Sequence, residues 1–146
     1  RPFVTDRMFQ TLRFGIEQYS AQGLRNQLDD VVLEQVRIAK IEVDAWYESI
    51  TVRIWGRCKD AIVDRNGRVV GGNARVDRRF TEYWTFLRSA EGRADTHGDR
   101  LACPSCGAPL DRIGKDGICG YCDSKITTGR FDWVLSRIEQ PEVYGG

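Results

Sequence analysis

Apolar residues recur at Met8, Leu12, Ile16 and Tyr19, the spacing of a single helix face, and this predicts an amphipathic helix over residues 5–22. Thr5 or Asp6 can cap its start, and Gly23 stops it. Asn26, Asp29 and Asp30 then predict a polar connection before the period changes to two. From Leu33 to Asp44, Val36 and Ile38 share one parity while Ile41 and Val43 take the other, so the strand should bulge near Ala39 and Lys40. A second long strand sets Ile50, Val52, Ile54, Gly56 and Cys58 on a dry face and Thr51, Arg53, Arg57 and Lys59 on a wet one.

Asp64-Arg65-Asn66-Gly67 is a turn signal, and Val69 and Val70 predict a short return before a second turn at Gly71-Gly72-Asn73. A third long strand is expected from Val76 to Arg88, with Phe80, Trp84 and Phe86 on one face and Tyr83 and Leu87 on the other. Residues 89–102 read as a loop. The last strand is expected from Ile126 to Ile138, where Phe131, Trp133 and Leu135 alternate. One helix ahead of four antiparallel strands predicts an α+β fold, with the helix packed on the dry face of a curved sheet. A single helix is thin cover for four strands, so either an upstream helix or a partner should face the remainder.

With 146 residues, 41% of them hydrophobic, the chain suits one domain with a real core. Lys and Arg number 22 against 21 Asp and Glu, so the global positive field of a typical nucleic-acid binder is missing. No run approaches the roughly 20 apolar residues that span a bilayer. The chain opens at Arg1 rather than Met, with no signal-like leader in the sequence as given.

The five cysteines sharpen this picture. Four form Cys103-Pro-Ser-Cys106 and Cys119-Gly-Tyr-Cys122, two CxxC pairs 12 residues apart. Each pair can form a tight knuckle presenting two thiolates, and the hairpin between them folds the second pair across to close a four-sulfur site. Zinc is the expected metal, and four thiolates leave no open position for water, so the site is read as structural. Gly107 suits the left-handed residue after the first knuckle, and Asp123 is the corresponding residue after the second. Two disulfides or an iron site are the competing readings. Cys58, on the dry parity, is read as a small buried hydrophobe, and His97 as a solvated loop residue.

Catalytic chemistry is not evident: Glu82, Asp77 and Asp44 are the carboxylates a pocketed acid or base would use, but no nucleophile or histidine dyad accompanies them. Gly71-Gly72-Asn73 lacks the helix and lysine of a phosphate loop. Between residues 53 and 79 eight cations stand against three aspartates. The bland reading is a solvated sheet face; the sharper one is a contact surface of Arg53, Trp55, Arg57, Arg75, Arg78 and Arg79 for anionic lipid or a partner, favoured by a tryptophan on the polar parity.

Arg1-Pro2-Phe3-Val4-Thr5-Asp6, Phe80-Thr81-Glu82-Tyr83-Trp84-Thr85-Phe86, the cysteine ribbon and Thr128-Gly129-Arg130-Phe131-Asp132-Trp133-Val134-Leu135 together resemble the bacterial Tim44-like domain family, named after the anchor of the mitochondrial inner-membrane import motor. The resemblance implies a cystatin-like or nuclear-transport-factor-two-like cone, with residues 1–102 and 125–146 as the α+β domain and 103–124 as an inserted zinc ribbon. It also implies a further helix, and often a signal or membrane segment, ahead of Arg1. The expected function is a non-enzymatic scaffold or assembly module with structural Zn2+. Its partners would be proteins of a membrane complex, with anionic lipid as a second contact and nucleic acid disfavoured. Its place would be peripheral to, or anchored at, the inner or plasma membrane on the cytoplasmic side. The alternatives are a small-molecule-binding cone-fold enzyme and an RNA- or ribosome-associated module.

Overall fold

The computed structural model describes residues 1–91 and 101–146. Its first element is helix α1, Asp6–Ala21. Thr5 is extended and its hydroxyl accepts from the Met8 amide at 3.3 Å, so Thr5 rather than Asp6 is the cap. Gly23 turns the chain out of the helix at φ +70°, where its amide donates to the Ser20 carbonyl at 2.9 Å.

Four strands follow: β1 Leu24–Val43, β2 Tyr47–Asp64, β3 Val69–Ser89 and β4 Val134–Glu139. They form one antiparallel sheet in the order β1-β2-β3-β4. Among the described residues the architecture is thus α+β, one α-helix on a four-stranded open sheet. The register confirms the expected bulge, with a shift between Ile38 and Lys40. It also places Leu33, Val36, Ile38 and Ile41 opposite Gly56, Ile54, Val52 and Ile50, and the last three of these opposite Glu82, Trp84 and Phe86. Directly opposed residues share a face, so one side of the sheet is almost continuously apolar. Asp64 closes the β2–β3 hairpin as predicted, its carboxylate accepting from the amides of Asn66 and Arg68 at 2.8 and 2.9 Å.

Three expectations are corrected. Asn26, Asp29 and Asp30 are not a connection but the first half of β1, paired with β2 as far back as Leu24–Asp64. Their polarity reflects an edge strand with little to bury there, and a bulge at Asp30, φ +51°, resets the register. Val69 and Val70 do not form a separate return: β3 runs unbroken through Gly71–Asn73, with residues 74–77 bulging opposite Lys59. The last strand is confined to Val134–Glu139: of the residues before it, Ile126 and Phe131 pack into the cysteine cluster, while the Gly129 carbonyl accepts from the Ser89 amide at the end of β3 at 2.9 Å and the Trp133 ring lies 4.7 Å from the Arg88 guanidinium. The loop reading for 89–102 and the solvated reading of His97 fall largely on residues 92–100, outside the described residues; Ser89 itself ends β3.

The buried core is small. Met8, Ile54, Cys58, Ala61, Val63, Val134 and Leu135 carry it, with Cys58 a buried free thiol as read from its parity. Each large aliphatic side chain so buried contributes about 1.5–3 kcal/mol. The chain entering α1 ties down the far edge of the sheet: the Thr5 amide donates to the Leu135 carbonyl at 2.9 Å and the Leu135 amide to the Phe3 carbonyl at 2.8 Å. At the other edge Leu33, Val36, Ile38 and Ile41 remain 53–65% exposed. The thin cover foreseen from one helix is therefore real among the described residues.

Candidate metal centre and basic sheet face

Both CxxC segments fold into the same local form. The Gly107 amide donates to the Cys103 carbonyl at 2.8 Å, and the Asp123 amide to the Cys119 carbonyl at 3.0 Å. Each turn ends in a left-handed residue, Gly107 at φ +76° and Asp123 at φ +56°. The return bonds are also equivalent, Cys103 amide to Ala108 carbonyl at 2.7 Å and Cys119 amide to Ser124 carbonyl at 3.0 Å. Two knuckles built this way aim their thiols at a common point.

All four sulfur atoms lie within 4.8 Å of one another, and Cys103 and Cys122 Sγ are 3.8 Å apart. A metal–thiolate bond of about 2.3 Å in tetrahedral geometry sets neighbouring sulfurs about 3.8 Å apart, so the four donors fit one ion. None of the four is in a disulfide. Cys103 and Cys119 are fully buried, and Leu110, Ile113, Ile126 and Phe131 pack against the pair. The thiols divide the local charge unequally. The hydroxyl and amide of Ser124 hold Cys122 down at about 6. Cys106 is pushed up to about 12: the Ala108 amide favours its thiolate, but the neighbouring sulfurs and burial outweigh that. A cation held by these four sulfurs would favour the thiolate form of each, so its binding would release protons.

The ribbon is fastened to the helix start. Asp6 accepts from Lys125 Nζ at 2.6 Å, from Thr127 Oγ1 at 3.2 Å and from the Arg1 guanidinium. Lys125 also donates to the Asp116 carbonyl, and Arg1 Nε to the Lys115 carbonyl, both at 2.6 Å. Hydrogen bonding from Lys125, followed by Arg1, holds the Asp6 carboxyl below its usual range. Sequence reading offered Asp6 only as a cap and passed over Lys125, since no local signal pairs residues so far apart in the chain.

The predicted contact set does not come together as a whole. Arg53, Trp55 and Arg57 alternate along one face of β2, with Arg79 opposite Arg57. Arg78 is on the other face, opposite Cys58, and pairs with Asp60 at 2.5 Å. Arg75 sits in the bulged stretch after Asn73, its amide bonded to the Asn73 side chain. Of the candidate acids, Glu82 accepts from Trp84 Nε1 at 2.9 Å and Gln140 Nε2 at 3.0 Å, Asp77 pairs with Arg57, and Asp44 accepts from the Trp46 and Tyr47 amides.

A family model described as the Tim44-like domain matches residues 1–100. The chain belongs to this family. The Tim44-like match runs through α1, β1, β2 and β3 and ends just before the first cysteine knuckle, so the ribbon and β4 lie outside it. No curated protein matches the chain. Among the described residues, no helix is long and apolar enough to cross a membrane.

Proposed function

We propose that this Tim44-like domain is a zinc-stabilised protein-interaction module that works peripherally at the inner or plasma membrane, on its cytoplasmic side, as a scaffold or assembly subunit of a membrane complex. The observation that carries the reading is the apolar sheet face left open by α1, where Leu33, Val36, Ile38 and Ile41 are each more than half exposed in a domain of this family. Zinc is assigned because four thiolates form a closed tetrahedral donor set. Residues 103–124 are taken as an insertion in the α+β domain of residues 1–102 and 125–146. Its metal replaces the apolar core that so short a hairpin cannot build. Of the expected contact residues, Arg53, Trp55, Arg57 and Arg79 share one face and are retained as partner contacts.

The test is site-specific photo-crosslinking in membranes of the source organism, with the crosslinker at position 38 and, as a control, at position 65 in the β2–β3 turn. A single crosslinked membrane-complex protein at position 38, absent at 65, with one zinc per chain, is the expected result. Recovery of zinc-loaded, uncrosslinked protein in the soluble fraction would overturn the membrane reading.

A further inference from the structure

The sheet face opposite α1 carries a grid of basic and aromatic side chains. Arg37, Arg53 and Tyr83 form one row across β1, β2 and β3, and Gln35, Trp55 and Thr81 the next. Arg53 sits between two rings, 4.7 Å from the centroid of Trp55 and 5.2 Å from that of Tyr83, and its Nε donates to Thr81 Oγ1 at 3.2 Å. Arg37 lies 5.9 Å from the Trp55 ring, and with the Gln35 amide turned to suit it, the Gln35 oxygen accepts from Arg37 Nε and Nη2 at 2.8 Å.

Neither guanidinium meets a carboxylate among the described residues, whereas their neighbours on this face do: Lys40 pairs with Glu42, Arg57 with Asp77 and Glu34, and Lys59 with Asp30. The two arginines are thus held in position by rings and neutral groups while their charge is left unanswered. A guanidinium held over an aromatic ring is preorganised to take a carboxylate through two parallel N–H bonds. The chain's own C-terminal residues show what this face accepts. Tyr144 stacks on Tyr83 with centroids 3.8 Å apart and planes 10° apart, and Lys40 Nζ donates to the Gly146 carbonyl at 2.9 Å.

We propose that the Arg37–Arg53–Trp55 face binds an extended acidic, tyrosine-containing peptide segment of a protein partner, beside the chain's own residues 140–146. The proposal rests on the protein-interaction reading above and names the surface and the chemistry. Carboxylates on this face, Glu42, Glu34 and Asp77 among them, break up the cationic field. That spacing suits discrete side-chain carboxylates better than a continuous phosphate backbone or a lipid surface. With Tyr83 already stacked by Tyr144, a tyrosine of the peptide would take the Trp55 ring, where it offers large contact area at little conformational cost.

The test is fluorescence anisotropy of the full chain with a labelled decapeptide of alternating Glu and Tyr, run beside an alternating Lys and Tyr peptide, a ten-nucleotide uridine oligomer and phosphatidylcholine–phosphatidylglycerol vesicles. Saturable binding of the acidic peptide is expected, weakened at least tenfold in R37Q/R53Q and retained in R65Q/R68Q, which removes the same charge from the hairpin turn. Equal losses in the two double variants, no loss in the first, or no binding of the acidic peptide would overturn it. So would tighter, Arg53-dependent binding of the oligomer or the vesicles. If R37Q/R53Q does not keep the wild-type circular dichroism spectrum, R53K decides: it retains charge but loses the planar two-pronged donor, and an unchanged affinity would refute the assignment. A membrane partner still captured by a folded R37Q/R53Q protein, with no peptide binding, would sink this surface and leave the module reading intact.

Discussion

Lys125 Nζ lies 2.6 Å from Asp6 Oδ2, joining the residue that follows the second cysteine knuckle to the first turn of α1. The same lysine holds the Asp116 carbonyl inside the ribbon. One carboxylate thus links the ribbon to the start of the helix.

Replacing Asp6 with Asn is expected to loosen ribbon docking while leaving the metal bound. Asp6 is 47% exposed, so solvent screening keeps the loss of stability to about 1 kcal/mol or less. Its folded pKa is lowered, so its contribution is present above the unfolded value and is lost as pH falls through the folded one. Urea melts of wild type and D6N should differ near neutrality and converge below about pH 4. A difference that persists unchanged in acid would contradict the ion-pair origin.

Replacing Cys106 with Ser should abolish stoichiometric metal binding, with an affinity loss above about a hundredfold, because a direct ligand outweighs the outer-shell partners that cost up to that much. Amide protection should fall at residues of the ribbon while β1, β2 and β3 keep their strand signal by circular dichroism. Chelation of the wild type should give the same pattern. Cooperative collapse of the whole sheet on metal removal would show that the ribbon is part of the main folding unit.

Gly56 is the position where β2 admits a neighbour most closely. A Cβ built there would lie 2.6 Å from Phe80 Cζ and 2.8 Å from the Val32 carbonyl oxygen. Gly56→Ala is expected to destabilise by about 1–3 kcal/mol through this overpacking, read as a lower urea midpoint with an unchanged slope. A neutral result would mean that the Phe80 ring swings aside freely.

Ile38 and Ile41 are 65% and 60% exposed. I38K/I41K should change stability by no more than about 1 kcal/mol, since each substitution is at the surface. The double variant should bind less 8-anilinonaphthalene-1-sulfonate than the wild type and stay monomeric to higher concentration by light scattering. Dye binding that survives the change would locate the exposed apolar surface elsewhere.

Helix α1, the bulge near Lys40, the dry parity of β2 at Ile54, Gly56 and Cys58, and the Asp64 turn were all legible because each depends on contacts within a few residues or on a repeat along one element, whereas Thr51, expected on the wet face, is buried and shares a hydrogen bond with Thr85. The metal knuckles were legible for the same reason: CxxC followed by Gly107 or Asp123 is a local turn whose geometry needs no partner strand. The first half of β1 was not legible, because Asn26, Asp29 and Asp30 belong to an edge strand whose side chains are mostly exposed and so leave no burial pattern. Phe131 and Trp133 alternate like strand residues, yet Phe131 packs into the cysteine cluster and Trp133 lies against Arg88, before the ladder with β3 begins at Val134.

By itself the amino-acid order determined the periods, the turns and the donor set, since these are properties of neighbouring residues. Tertiary structure alone decided which cations share a face. Arg78 and Arg79 are adjacent in the chain, but opposition to Cys58 and Arg57 sends them to opposite sides of the sheet. It also decided that Arg37 and Arg53 flank Trp55 without a carboxylate from the described residues, and that Asp6 meets Lys125. Those relationships depend on strand register and on the closure of long loops, and neither leaves a mark on the local pattern that a sequence displays.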